Sequence, residues 1–118
     1  MKLVRIGYWD DGNGSWPDVR SSIDPAWDED ERDMTAVYLR HGLVARAYMG
    51  PATCRVCGRR NGSVELTDFV YVWPEGLSHY LLEHQVRLPE VFVEYVRTQQ
   101  AKLDDCEIDD SWWRGEQR

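Results

Sequence analysis

Two cysteines and two histidines stand at spacings that are typical of a metal site. Cys54 and Cys57 are separated by two residues, so that one tight turn can direct both sulfur atoms at a single ion. His79 and His84 are separated by four residues, which is within the range found for paired zinc histidines. Two thiolates and two imidazoles form a closed tetrahedral set that favours Zn²⁺ over harder metals. The sequence therefore predicts one structural zinc ion and a fold that this ion stabilises.

The intervals around these four residues also predict local structure. Gly58 follows the cysteine pair and supplies the conformational freedom that a tight turn needs. A step of five residues rotates about 140° beyond one full turn of a regular helix, so the helix that carries His79 should tighten or end near His84. The 21 residues between Cys57 and His79 exceed the gap of an ordinary zinc finger. A β-hairpin fits into this interval.

Other chemistries also use cysteines at this spacing. A redox pair of thioredoxin type opens a helix after a strand, whereas residues 58–62, Gly-Arg-Arg-Asn-Gly, are typical of a turn. A short disulfide is the second alternative, although an intracellular chain would keep it reduced. Cys106 and His41 are reserve ligands, for which we expect ordinary roles in an acidic segment and at the end of an apolar helical stripe.

Composition indicates one globular domain. The chain has 118 residues, of which 42% are hydrophobic, and it contains six tryptophans and three cysteines. Three cysteines without a paired framework suit a reducing compartment. The first residues lack the apolar stretch of a signal peptide, and no segment approaches the length of a membrane span. We therefore expect a cytoplasmic protein without a membrane partner, with a single domain over residues 1–118, a zinc-binding core at 54–89 and an acidic C-terminal tail at 104–118.

The apolar patterns predict a small mixed α+β fold with a zinc knuckle, a short antiparallel sheet and about three helices. The predicted strands cover residues 3–9, 43–49, 64–66 and 69–73. The predicted helices cover residues 27–41, the segment that carries His79 and His84, and residues 89–103. Asp24 and Pro25 are expected to cap the first helix.

Two of the predicted helices have an apolar stripe that should face the core. In the first helix, the inward positions are Met34, Val37, Tyr38 and His41. In the last helix, the inward positions are Val91 or Phe92, Tyr95, Val96 and Leu103.

Charge is distributed unevenly along this acidic chain. The net charge of −7 divides among four segments: −5 over residues 1–33, +5 over 34–63, −3 over 64–103 and −4 over 104–118. The overall negative field disfavours non-specific binding to nucleic acid. The positive segment contains five arginines and no acid, and four of them are expected to cluster on or near the knuckle: Arg46, Arg55, Arg59 and Arg60. The densest acidic run stands at the positive end of the first predicted helix, where the helix itself favours it: Asp28, Glu29, Asp30 and Glu31.

The central part of the chain resembles small bacterial zinc-binding proteins of unassigned function. The resemblance covers residues 54–89 and rests on these segments: Cys54-Arg-Val-Cys57-Gly58, Asn61-Gly62, Glu65-Leu66-Thr67-Asp68, Trp73-Pro-Glu-Gly-Leu77, His79-Tyr80, His84 and Val86-Arg-Leu-Pro89. The cysteine knuckle and paired histidines are also similar to Cys2His2 zinc fingers in the broad sense. The resemblance implies a bacterial zinc-binding protein with the four ligands named above, and it implies no activity.

Three classes of function compete. The first is a non-enzymatic protein-interaction module, such as an immunity-type inhibitor of a basic toxin or nuclease, because acidic charge at residues 28–31 would steer a cationic partner and tryptophans are common at binding hot spots. The alternative is a nucleic-acid-binding protein that uses Arg55, Arg59 and Arg60. The third is a zinc enzyme, which four protein ligands disfavour because they leave no open position on the metal.

Overall fold

The computed structural model of the protein describes residues 1–48 and 50–116. It is an α+β fold, as the sequence predicts. The strands are β1 (Val4–Arg5), β2 (Leu43–Ala47), β3 (Val64–Thr67) and β4 (Tyr71–Pro74). The helices are α1 (Glu29–Arg40), α2 (Leu77–His84) and α3 (Glu90–Asp104), and a short 3-10 helix (Val19–Ser22) precedes them.

The four strands form one mixed sheet in the order β1-β4-β3-β2. Strands β2, β3 and β4 are antiparallel, whereas β1 pairs with β4 in parallel. Strand β1 is shorter than the predicted strand at 3–9, and the chain leaves the extended conformation at Gly7, which has a φ of +76°. The predicted strand at 43–49 ends at Ala47, and its last position, Met49, lies outside the described residues.

The hairpin predicted between the cysteines and the histidines is confirmed. It is formed by β3 and β4, and its turn is held by the Asp68 carboxylate, which accepts the backbone N–H of Val70 at 3.0 Å and of Tyr71 at 2.7 Å. The hairpin carries the chain from the knuckle to the start of α2.

The core lies between the sheet and the three helices. Trp73 on β4 is fully buried, and its indole N–H donates to the backbone oxygen of Leu39 on α1 at 2.9 Å. Its ring lies 6.3 Å from that of Phe92 on α3 in an edge-to-face arrangement. Helix α1 also packs against α2, so that the helix with the two histidines is supported by the core.

The predicted inward face of α1 is partly wrong. The buried residues are Thr35, Ala36 and Leu39, whereas Val37 is 52% exposed. Small side chains at the contact let neighbouring helices approach closely, and this places the buried stripe beside Val37 rather than on it. The helix also begins later than predicted, because Asp28 rather than Asp24 is its N-cap.

The predicted extent of α3 is nearly correct, and its inward face is confirmed in part. Phe92, Val93 and Val96 are buried, whereas Val91 and Leu103 are exposed. Pro89 precedes the helix as predicted. Within residues 1–48 and 50–116, no helix combines the length and the apolar character that crossing a membrane requires.

Candidate metal centre

The cysteine pair lies on a short hairpin of residues 52–61, which we call the knuckle. The backbone N–H of Cys54 donates to the oxygen of Arg59, and the N–H of Gly58 donates to the oxygen of Cys54, at 2.8 and 2.9 Å. Gly58 has a φ of +75°, a backbone conformation that residues with a Cβ rarely adopt. The predicted turn after Cys57 is therefore confirmed.

The two cysteine sulfurs have different surroundings. The backbone N–H of Val56 donates a hydrogen bond to Cys54 Sγ at 3.4 Å, which holds the sulfur in position on the knuckle. Cys54 is buried, with 1% of its surface exposed, whereas Cys57 lies at the surface. The two sulfurs thus close the site from an inner and an outer side.

Helix α2 presents the two histidines and ends where the five-residue spacing predicts. His84 is its last residue, and Gln85 follows with a φ of +52° in the left-handed region. The N–H of Val86 then donates to the oxygen of Tyr80 at 3.1 Å, which closes the helix end. Because the helix stops at His84, the two imidazoles lie close together, with ring centroids 4.9 Å apart and planes at 81°.

The ligand atoms of Cys54, Cys57, His79 and His84 all lie within 4.8 Å of one another. Cys57 Sγ and His79 Nε2 are 3.4 Å apart. A tetrahedral ion with ligand bonds of about 2.0–2.3 Å separates its ligand atoms by roughly 3.3–3.8 Å. The Cys57–His79 pair has this separation and the other pairs lie within 4.8 Å, so the cluster can hold one metal ion.

One buried atom supports this conclusion independently. Among the described residues, His84 Nε2 has no hydrogen-bond partner although it is buried. An unsatisfied buried nitrogen is costly, and a coordinated ion would satisfy it. Burial, followed by the proximity of His84, also holds the pKa of His79 below its ordinary value, which keeps the imidazole in the neutral form that binds metal.

The alternatives fit this geometry less well. The knuckle is a hairpin, whereas the thioredoxin-type redox motif opens a helix. The reserve ligands lie outside the cluster. The His41 ring contacts the backbone oxygen of Val37 at 2.7 Å, and Cys106 Sγ donates to that of Lys102 at 3.1 Å. Cys106 has the ordinary local role that we expected, whereas His41 is exposed, so its predicted inward position at the end of the α1 stripe is wrong.

Two hydrogen bonds that sequence reasoning missed join the knuckle to α2. The backbone N–H of Arg55 donates to the Tyr80 hydroxyl at 2.8 Å, and the Asn61 side-chain amide donates to the Gly76 oxygen at 3.0 Å. Burial raises the pKa of Tyr80 to about 12, so its hydroxyl remains protonated. The position of Tyr80 directly after His79, in the middle of α2, was the signal that could have predicted a supporting role.

The three arginines and the acidic run occupy different elements. Arg55, Arg59 and Arg60 are exposed on the knuckle. In the acidic run, the Asp28 carboxylate accepts the Glu31 N–H at 2.9 Å, and Glu31 accepts the Trp27 indole N–H at 2.7 Å. Glu31 also pairs with Arg97 on α3. Asp28 and Glu31 therefore have structural contacts, Glu29 pairs with Arg32 on the surface at 3.7 Å, and Asp30 is exposed.

A second polar cluster, which sequence reasoning did not predict, surrounds Glu65 on β3. This carboxylate is 2% exposed, accepts a hydrogen bond from the Tyr8 hydroxyl and pairs with Arg46, while Arg5 lies 3.6 Å away. Burial would raise the pKa of Glu65, but the bonds from Tyr8 and Arg46 outweigh it and hold the pKa below its ordinary value. A single acid in an otherwise apolar strand was the signal that could have indicated it.

Comparison with known protein families gives no matching family model, and comparisons with curated proteins and with solved structures give no match. The resemblance to small bacterial zinc-binding proteins therefore rests on the motif, and the structure adds that its four residues lie close enough to hold a metal ion.

Proposed function

We propose that this chain is a non-enzymatic, zinc-stabilised module that binds a basic partner protein, in the manner of an immunity-type inhibitor of a toxin or nuclease. The observation that carries the proposal is an acidic surface with exposed tryptophans. The C-terminal tail exposes Trp112 by 56% and Trp113 by 77%, next to a run of exposed acids. Acids favour encounter with a cationic protein, and tryptophan side chains supply large apolar contact area.

Zinc is the metal that this donor set favours. Two thiolates and two neutral imidazoles are soft to borderline ligands, and the two negative charges of the sulfurs balance the two positive charges of a divalent ion. Elemental analysis of reduced, unchelated protein should give one zinc per chain. Protein without any metal under those conditions would contradict the assignment.

A structural rather than catalytic metal follows from the ligand count. Four protein ligands complete a tetrahedral shell, whereas catalytic zinc keeps one position for water or substrate. The buried His84 Nε2 and the buried Cys54 support a closed site. The expected property of the loaded protein is therefore a metal that exchanges slowly and binds no small inhibitor. A water molecule as fourth ligand would favour a zinc enzyme instead.

The acidic start of α1 is a second acidic region, on a different element from the tail, that would also attract a basic partner. Glu29 and Asp30 are exposed, and Glu29 pairs with Arg32 at 3.7 Å. Charges at exposed positions act mainly on the rate of association. We therefore expect Asp30 to contribute to partner capture without contributing much to the fold.

The partner can be identified by capture on immobilised protein from the native cell, with and without chelator. We expect a basic protein in the eluate, lost after chelation because the module unfolds. Association kinetics should then slow for Asp30→Lys and remain close to wild type for Asp11→Lys, which makes the same charge change at an exposed position in the N-terminal loop. Equal slowing by both variants would show that net charge, rather than this surface, drives binding.

A further inference from the structure

A cleft beside the knuckle has a lining that neither the metal centre nor the acidic surface explains. Its volume is about 200 Å³. It lies between the segment after β1, the segment after β2, the knuckle and α2. Four of its lining residues are aromatic and come from three separate segments: Tyr8, Trp9, Tyr48 and Tyr80.

The aromatic walls are held in place by contacts behind them. The Tyr8 hydroxyl bonds to the buried Glu65 and lies 3.1 Å from the Tyr48 hydroxyl. On the other side, the rings of Trp9 and Tyr80 lie 6.1 Å apart in an edge-to-face arrangement. A cleft that is formed before binding loses little conformational entropy when a ligand enters it.

The rim of the cleft is basic although the protein is acidic. Arg55 lines the cleft, and Arg59 and Arg60 follow it on the same exposed hairpin. The ion pairs observed among residues 1–48 and 50–116 include none from these three arginines. By contrast, Arg5 and Arg46 lie against Glu65. The knuckle therefore offers cationic groups that the protein does not neutralise.

We propose that this cleft binds a nucleotide, with its base against the aromatic side chains and its phosphate at Arg55. The ligand must combine a flat ring with an anion, and a nucleotide has both. The volume is below the roughly 300–1,000 Å³ of sites for drug-sized ligands, so the cleft takes one ring rather than a whole dinucleotide. A free mononucleotide and one nucleotide of a single strand share this chemistry.

Two considerations favour a nucleotide over a protein side chain. Ordinary anionic side chains lack a ring, and ordinary aromatic side chains lack a negative charge. Phosphotyrosine has both, but it brings one isolated phosphate, whereas a strand brings a phosphate at every nucleotide. Cationic residues that continue past an aromatic site suit a strand, whose next phosphates would lie along Arg59 and Arg60.

Binding can be measured with two nucleotide probes on zinc-loaded protein at low salt. Adenosine 5′-monophosphate is titrated by calorimetry, and a fluorescein-labelled oligo(dT) of about twelve nucleotides, within the roughly 4–16 nucleotides of known single-strand modules, is titrated by anisotropy. Arg55→Gln should weaken binding of the probe by about tenfold or more, which corresponds to one charge-assisted contact. The matched control Arg40→Gln, at an exposed position at the end of α1, should leave affinity within about twofold.

The aromatic walls can be tested separately. Tyr48→Phe keeps the ring and should keep binding, whereas Tyr48→Ala should lose it. For the oligonucleotide, replacing all three arginines should flatten the slope of log affinity against log salt by about 2, since each phosphate contact contributes about 0.7 on single strands. Unchanged thermal unfolding and zinc content confirm that each variant is folded.

The outcomes separate the two sources of nucleotide and the competing ligand. Binding of both probes with the same dependence on Arg55 supports a free-nucleotide site, and binding of the oligonucleotide alone supports a strand. The proposal would be overturned if neither probe binds at about millimolar concentration. It would also be overturned if Arg55→Gln leaves the affinity unchanged, or if a phosphotyrosine peptide binds more tightly than both probes. Asp30→Lys should not weaken nucleotide binding, so the result is independent of the proposed protein partner.

Discussion

The metal centre and the N-cap of α1 organise polar groups in opposite ways. At the metal centre, groups that are 22 or more residues apart in the chain meet within 4.8 Å, as Cys57 and His79 do. At the start of α1, the Asp28 carboxylate accepts an N–H only three residues away. Contacts between residues far apart in the sequence form only in the tertiary fold and stabilise that fold. The local hydrogen bond at Asp28 stabilises only the end of one helix. Substitutions in the two regions should therefore differ in size and in kind.

The largest effect is expected at the metal ligands. Cys57→Ser or His79→Ala should lower the free energy of unfolding by about 3 kcal/mol or more, and Tm by roughly 10 °C or more. Finger peptides gain about 10–16 kcal/mol from zinc, which is an upper guide here because this chain has a core of its own. Circular dichroism melts and metal analysis of the same samples measure both quantities.

A matched pair of controls belongs to this experiment. Cys106→Ser removes a thiol outside the cluster and should leave Tm and metal content unchanged. Chelation should bring wild type to the Tm of the ligand variants. If a ligand variant keeps its Tm but loses partner binding, the metal takes part in function rather than in stability.

Glu65 tests whether the contrast depends on charge or on sequence separation. It is an acid, yet it is held by Tyr8, 57 residues away, and by Arg46. If long-range contacts are what matters, Glu65→Gln should cost about 1–3 kcal/mol at neutral pH, the range for a buried polar group that loses a partner. A loss of unfolding free energy below about 0.5 kcal/mol, typical of surface acids, would show that sequence separation does not decide the size of the effect.

The pH dependence of the same variant gives an independent check. The folded-state pKa of Glu65 is below its ordinary value of 4.5, so folding favours the ionised form. Its contribution is fully present above 4.5 and is lost as the pH falls through the folded pKa. The difference in unfolding free energy between wild type and Glu65→Gln should therefore be constant near neutrality and shrink below about pH 4.5. Acid release of the metal affects both proteins and cancels in this difference.

The sequence predicted the metal cluster better than its surroundings. Ligand types and spacings are local facts, and the end of α2 at His84 followed from helix geometry alone. The parallel pairing of β1, the support from Tyr80 and the partners of Glu65 depend on which segments meet in space. Local signals mark Tyr80 and Glu65 as residues with a role, but they do not identify the residues that each will contact. The buried face of α1 was wrongly predicted to include Val37 for the same reason, because the elements packed against a helix decide which stripe is buried.

A smaller effect is expected at the join between the knuckle and α2. Tyr80→Phe removes the acceptor of the Arg55 N–H and should cost about 1 kcal/mol. Because the knuckle loses one attachment to the helix that carries both histidines, metal affinity should fall by up to about tenfold. This is the low end of the roughly 10–100-fold loss seen when residues that support metal ligands are changed. Competition with a chromophoric chelator measures this.

Tyr95→Phe is the matched control for that experiment. It removes a hydroxyl that contacts Gln99 at 3.1 Å on α3, away from the metal. We expect unchanged metal affinity in this variant. An equal fall in affinity for both variants would mean that affinity follows overall stability, and the two regions would then be less separate than their contacts indicate.

The smallest effects distinguish the two kinds of acid within the start of α1. Asp28→Ala removes the N-cap acceptor and should cost about 1 kcal/mol. Asp30→Ala loses only a favourable interaction with the helix dipole, of about 0.3 kcal/mol at an exposed position. Both variants lose one negative charge, so association with a basic partner should slow similarly in the two. The two variants should then differ in stability but not in association rate, although the two residues are only two positions apart. Equal stability losses in urea unfolding would show that Asp28 acts through its charge rather than as a cap.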